Sequence, residues 1–247
     1  MPLPVRLNKF ISNSGICSRR KADEMISAGR VSINGKIITD LGVKIDPVND
    51  KVFFNEKQVV NLDKLVYILF NKPKDCITTA KDERGRSTVM DYVSVRERIY
   101  PIGRLDRNTT GALLLTNDGE FANMLMHPRH EVKKAYRVGL DKPLTPEAAA
   151  KLEKGIRLSD GKTEPAEIVP IRKGKQIEVG IVIHEGRNRQ VHRMFEALDY
   201  EVKKLERVAY GGITTEGLGR GRWRYLTSQE VRALKKVADE GEREKSD

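Results

Sequence analysis

Cysteine and histidine are scarce in this chain: two cysteines and four histidines in 247 residues. Cys17 and Cys76 are too few for a disulfide framework, and neither stands in a Cys-x-x-Cys arrangement. His127, His130, His184 and His192 include a His-Pro-Arg-His run but not the repeated Cys/His pairing of zinc sites, so no metal is expected. No stretch approaches the roughly 18 consecutive apolar residues of a membrane span, and the N-terminus has no apolar signal core. Cytoplasmic residence and no membrane contact are therefore expected. None of the glycines between Gly211 and Gly221 follows a phosphate-loop spacing with Lys-Ser/Thr, which argues against a nucleoside triphosphate. There is no long Gly/Ser tract and no repeat at solenoid spacing. No cofactor is expected.

What the chain has instead is positive charge. Forty-six Lys and Arg stand against 35 Asp and Glu, a formal net charge of +11, with 33% charged and 38% hydrophobic residues. A folded, soluble chain of this length buries a real core, and an excess of this size attracts polyanions, phosphate backbones above all. Charge by itself does not separate RNA from DNA or from an acidic protein.

Residues 1–60 read as a small module. Leu7, Phe10 and Ile11 follow helical spacing until Gly15. Ser18 is placed to cap a second helix through Ala22, Met25 and Ile26, which Gly29 ends. Val31 to Ile38 reads as strand, Asn34-Gly35 turn, strand, and further strand is expected at Val43, Ile45, Val52 and Phe54. Arg6, Lys9, Arg19, Arg20, Lys21 and Arg30 gather around the Ser18 cap, where helix amides and basic side chains together suit a phosphate. A solvated helix face is the plainer account of the same charges.

A polar link at 61–64 leads to a larger unit, 65–232, and a charged tail, 233–247. Leu65 to Phe70 reads as a strand running into Lys72-Pro73, and Lys81 to Ser87 as a basic exposed loop. The centre of the chain is Pro101-Ile-Gly-Arg-Leu-Asp-Arg-Asn-Thr-Thr-Gly-Ala-Leu-Leu-Leu-Thr-Asn-Asp-Gly119. It holds a carboxylate, Asp106, on a loop that enters a buried strand. An Asp in a loop is most often a turn cap, and Arg-x-Asp alone would favour that account. A helix follows from Asn117 or Asp118 to Pro128, then a strand, Lys133 to Leu140, with Tyr136, Val138 and Leu140 on one face. Thr145-Pro146 starts a helix that Gly155 stops, and Pro165–Ile171 and Ile177–Ile183 read as paired strands. His184-Glu-Gly-Arg-Asn-Arg-Gln-Val-His-Arg-Met194 reads as strand end and helix start near Asn188. Val202 to Val208 returns as a strand, and Gly211 to Gly221 is a loop.

Gly103-Arg-Leu-Asp106 with Thr109, Gly111, Leu113 to Leu115 and Asn117-Asp-Gly119 resembles the signature of the RsuA/RluB-type rRNA pseudouridine synthases. Arg6 to Gly15, Ser18-Arg-Arg20 and Gly29 to Gly35 resemble the S4-like RNA-binding domain that commonly precedes that catalytic domain. The likeness runs from Arg6 to about Leu226. It implies an α+β fold: a small S4-like domain, then a catalytic domain with a mixed, mainly antiparallel sheet flanked by helices. It implies isomerisation of a uridine, with ribosomal RNA as partner in a structured stem-loop or an assembling particle, and a monomeric enzyme. Tyr200 to Arg207 is closest in texture to members that modify large-subunit rRNA.

By the same resemblance Asp106 is the catalytic residue, Tyr136 packs on the target base, and Arg104 fills the space left when the uridine is flipped out. Lys72 belongs to the Lys-Pro motif and is grouped with the RNA contacts. The chemistry needs a nucleophile or base in a closed pocket with a cation beside it, and no redox change. Arg189 is the expected lining residue, with Arg193 and His192 as rivals for the pairing with Asp106. Three positions depart from the family pattern: Asn49 and Asp75 stand where glycine is usual, and His192 where arginine is usual. An inactive ribosome assembly factor is the alternative reading, and a DNA-binding helix-turn-helix a more distant one, which leaves the second unit without a role.

Overall fold

A computed structural model describes residues 3–60, 64–80, 82, 84–171 and 177–244. The chain divides into two units. One runs from the N-terminus to Leu65 and includes Arg96–Arg98, and the other comprises Val66–Val95 and Ile99 onward. Among the described residues no helix is long and apolar enough to cross a membrane.

In the first unit β1 (Val5–Arg6) leads into α1 (Leu7–Asn13) and α2 (Arg19–Ser27), where Ser18 accepts from the Lys21 amide as the N-cap. β2 (Val31–Ile33) and β3 (Lys36–Ile38) form the expected hairpin. Asn34 and Gly35 turn at φ 51° and 84°, the paired positive dihedrals that Asn-Gly suits. β4 (Lys44–Ile45) pairs with β1, and β5 (Val52–Phe54) and β6 (Lys57–Gln58) extend the hairpin to four strands. Leu7, Ile11, Ala22, Ile26, Val31, Ile45 and Val52 close a core that pins the helices to the strands. At the turn where Asn49 replaces the family's glycine, Asp46 accepts from the Val48 amide and the Asn49 side chain, so side chains shape the bend.

The second unit is built on a mixed sheet. β7 (Tyr67–Lys72), β8 (Tyr100–Ile102) and β9 (Thr110–Thr116) come first, followed by α3 (Gly119–Met126), β10 (Lys134–Leu140) and α4 (Pro146–Glu153). A short hairpin, β11 (Arg157–Leu158) and β12 (Gly161–Lys162), precedes β13 (Glu167–Pro170), β14 (Glu178–Ile183), α5 (Gln190–Glu196) and β15 (Val202–Tyr210). β16 (Ile213–Thr214), β17 (Trp223–Tyr225) and α6 (Ser228–Glu244) complete it. The strand order is β13-β14-β10-β15-β9-β7-β17, with β8 on β9 and β16 on β15. All these pairs are antiparallel except β9 with β15.

Both faces of the sheet are covered, which is why β9 reads as a continuous apolar run. Leu113 and Leu115 pack with Val138, Ile181, Leu152, Met194 and Phe195 on the side of α4 and α5. Ala112 and Leu114 pack with Phe121, Leu125, Leu234 and Ala238 on the side of α3 and α6. The boundary drawn at Arg232 falls inside α6, whose Leu234 and Ala238 are fully buried. Charged residues along this helix hide a narrow apolar stripe. The interval expected to be loop, Gly211 to Gly221, holds the two-residue strand β16, and the expected link at 61–64 lies, apart from Lys64, outside the described residues.

Candidate active site

Asp106 sits in the turn between β8 and β9, where the Thr109 amide donates to its carbonyl at 3.1 Å. On one side Thr78 both donates to the Leu105 carbonyl at 2.7 Å and accepts from the Leu105 amide at 3.2 Å. Beneath the turn lies Lys72. Its ammonium is fully buried and donates to the carbonyls of Pro73, Asp106, Arg107 and Thr109 at 2.9–3.2 Å. Burial draws this lysine down to about 8, so it remains charged at neutral pH and is solvated by backbone oxygens instead of water. Lys72 is therefore not available to RNA as expected from the sequence. It is the internal cation around which the Asp106 turn is wound.

Replacing Lys72 by Met is expected to cost about 3 kcal/mol of unfolding free energy, because several buried carbonyls lose their donor at once. Urea melts measure this, and an unchanged midpoint would mean that other donors take over.

A cavity of about 630 Å³ opens over Asp106. Gly103, Arg104, Leu105, Asp106 and Thr109 form one wall, Tyr136, Leu205, Arg207 and Tyr210 the floor, and the segment from Ile183 to His192 the opposite wall. Tyr136 on β10 pairs with Arg207 on β15, and the register shifts between Ala135 and Tyr136. Such an irregularity re-aims side chains, and here the Arg207 guanidinium lies 4.9 Å from the centre of the Tyr210 ring.

Arg207 went unremarked as a site residue, since in Lys203-Lys-Leu-Glu-Arg207 it looks like one more surface charge. In the fold it is 2% exposed. Its Nε donates to the Ala112 carbonyl at 2.7 Å, while Nη2 is buried with no hydrogen-bond partner among the described residues. A fixed guanidinium with a free N–H at a cavity wall is a ready anion partner. Lys134 also lines the cavity. It donates to the carbonyls of Val132 and His184, and burial lowers it to about 8.

The rivals for the cation beside Asp106 separate clearly. Arg189 lines the cavity at the N-cap of α5, in a left-handed conformation with φ 46°, and pairs with Glu196 at 3.3 Å. Arg193 is not among the lining residues: it turns to Asp160 in the β11–β12 hairpin at 2.9 Å. His192 lines the cavity, but burial, then the nearby Arg189, lower its pKa, so the ring is neutral at pH 7 and does not form the protonated pair considered from the sequence. Arg187 ties Glu185 to the backbone of the same hairpin, which fixes the far wall.

In the loop after β7, Asp75 occupies the position where the family pattern has glycine. It adopts φ 65°, a left-handed conformation that glycine enters freely and Asp tolerates, and its carboxylate accepts from the Arg107 Nε. On the basic loop that follows, Lys81 and Glu83 lie outside the described residues, and Arg86 is paired with Asp82 at 2.7 Å. In the first unit Arg6, Arg19, Arg20, Lys21 and Arg30 are exposed and Lys9 is half-buried, and Ser18 caps the helix that begins at Arg19.

Residues 66–197 match the family of RNA pseudouridylate synthases, and residues 5–52 match the S4 domain. The chain belongs to this family. It is 48% identical over 241 residues to the ribosomal large subunit pseudouridine synthase B of Bacillus subtilis, covering 96% of this chain and 98% of that one. It is 37% identical to the dual-specificity RNA pseudouridine synthase RluF of Escherichia coli K12, covering 95% and 80%. A crystal structure of a pseudouridylate synthase aligns with a TM-score of 0.68 at 31% identity over 93% of this chain and 99% of that one. The fold and the enzyme class expected from the sequence stand: an S4 domain followed by a pseudouridine synthase on a mixed, mainly antiparallel sheet.

Proposed function

We propose that this pseudouridine synthase isomerises a uridine of large-subunit ribosomal RNA, with Asp106 as the catalytic carboxylate. The observation that carries the assignment is the setting of Asp106: a side chain on a turn wound around a buried lysine, at the wall of a cavity whose floor offers an aromatic face and a guanidinium with one nitrogen, Nη2, left without a hydrogen-bond partner among the described residues. The substrate class rests on the two relatives, one named for the large ribosomal subunit and the other for RNA.

The reaction breaks the bond from ribose to N1 of uracil, turns the base and rejoins it through C5. Inside a paired helix that bond is out of reach, so the nucleotide must be flipped out, and a cavity of about 630 Å³ is large enough to receive a base. Asp106 supplies the nucleophile or base. Tyr136 offers a ring for stacking, and Arg207 a fixed cation lining the same cavity. Arg104, exposed at the rim, is placed to enter the gap left in the RNA. The exposed basic residues around Ser18 take phosphates. The reading implies a monomer working in the cytoplasm, on free rRNA or on an assembling particle.

Tritium release from transcripts labelled at C5 of uridine tests the proposal, because only substitution at C5 frees that label. Release is expected from large-subunit and not from small-subunit rRNA. Tight, salt-sensitive binding without release from either transcript or from immature particles would favour the assembly-factor reading. The double change Arg19→Glu/Arg20→Glu is expected to weaken binding roughly tenfold or more and to flatten the salt dependence by about two in log-log slope, read by filter binding at several salt concentrations. An unchanged slope would remove these two residues from the RNA contact.

A further inference from the structure

We infer that His192 is a second catalytic residue, the base that removes the C5 proton of the target uracil once C5 has bonded to the ribose. The inference rests on the isomerase reading above and assigns a step within it.

The step follows from counting protons. When the glycosidic bond breaks, its electron pair leaves with N1. C5 then forms the new bond to C1′ and for a moment carries both its hydrogen and the ribose, with the double bond lying between N1 and C6. Loss of the C5 proton restores the C5–C6 double bond and returns the electron pair to N1, which takes up a proton. One proton leaves C5 and one arrives at N1, so no oxidant, reductant or co-reactant is needed. What the step does need is an uncharged or anionic acceptor inside the closed cavity.

Few groups on the cavity wall can fill that role. Glu185 is engaged: its oxygens accept from the Glu164 amide, the Arg187 Nε and the Gln190 amide nitrogen. Lys134 is held on two carbonyls as a donor. His127 uses Nδ1 to accept from the Arg129 amide, and the Nδ1 of His184 is engaged with the Glu131 carbonyl. His192 differs from both. Its Nδ1 is buried and has no hydrogen-bond partner among the described residues. A neutral imidazole with an unmatched buried nitrogen, lining the same cavity as Asp106, can accept a proton and return it to N1 or to solvent.

The charged groups around the ring set its range. Burial is the largest influence and favours the neutral form. Arg189, at the start of α5, acts the same way, while Asp106 from the β8–β9 turn and Glu196 from α5 itself oppose it. The ring therefore titrates below the ordinary imidazole range and is a free base at neutral pH. As pH falls through the ring's lowered pKa the acceptor is occupied, so turnover should fall with it.

The experiment compares the native protein with His192→Gln on rRNA carrying protium or deuterium at C5, in single turnovers, from pH 5 to 8. Native turnover with none from Asp106→Asn tests the isomerase reading separately. In H192Q the rate is expected to drop roughly a hundredfold. The C5 isotope effect should exceed the native one, RNA binding should be unchanged, and the acid limb should vanish. A rate loss with the native isotope effect and acid limb would show that His192 only packs the wall and that Asp106 itself takes the proton, overturning the inference. Should H192Q fold poorly, the native protein decides: the acid limb must coincide with the ring titration of His192 followed by NMR, and a rate that stays flat through that titration refutes the assignment.

Discussion

Asp106→Asn is expected to bind rRNA as well as the native protein does and to release no C5 tritium, a loss of at least roughly four orders of magnitude. Enzymatic rate enhancements of a millionfold or more collapse when the only nucleophile is removed. The substitution is well suited to isolate chemistry from structure. What Asp106 contributes to the fold passes through its backbone carbonyl, which accepts from the Lys72 ammonium and the Thr109 amide, and asparagine keeps that carbonyl. Its side chain has nearly the same size. The variant carries one negative charge fewer, so its attraction for a phosphate backbone can only grow. Thermal midpoint and RNA affinity should therefore match the native values while product formation disappears. Native turnover by the asparagine protein would eliminate the carboxylate as nucleophile and shift attention to Glu185, the other carboxylate on the cavity wall.

How much of this site could be read in the sequence differs from residue to residue, and the reasons are physical. The Asp106 turn was legible because three short-range signals coincide there: a glycine at φ 69°, a charged triplet and an apolar run that must be a buried strand. Hairpins, caps and helix stops were legible for the same reason, since Asn34-Gly35, Ser18 and Thr145-Pro146 act on their immediate neighbours. Arg207 was not. Its burial is decided by β9 lying parallel to β15, a contact between residues far apart in the chain, and nothing in the local charge pattern distinguishes a buried arginine from an exposed one. Lys72 failed in the opposite direction. A lysine beside a proline at a strand end invites an exposed reading, yet three of its four carbonyl partners reach it only when the Asp106 turn folds back. The same holds for Arg193, one helical turn from Arg189, whose partner Asp160 is supplied by a separate hairpin. Local chemistry was readable, and long-range register was not.

The largest structural effect is expected at Gly111, where register and catalysis meet. This residue faces Lys72 on β7 and Arg207 on β15, so it stands between the lysine that holds the Asp106 turn and the arginine at the cavity floor. Its φ is 104°, outside the range that side chains accept, and a β-carbon there would lie 2.1 Å from the Arg207 carbonyl oxygen. Gly111→Ala therefore forces both a dihedral change and a widening of the β9–β15 spacing, and a loss of about 3 kcal/mol or more in stability is expected. Activity should fall further than stability accounts for, because displacing Arg207 by about 1 Å can cost on the order of a hundredfold in rate. Gly212→Ala supplies the control. Gly212 also has a positive φ, 83°, but a β-carbon there would meet nothing within 4 Å, so only the dihedral cost of about 1–2 kcal/mol remains. Urea melts and single-turnover rates on both variants separate the two terms. If Gly111→Ala lost no more than Gly212→Ala by either measure, the close approach of β15 would not be what sets the position of Arg207. A larger loss in rate than in stability would place the geometry of the site in the backbone contact itself, one residue from the end of the catalytic turn.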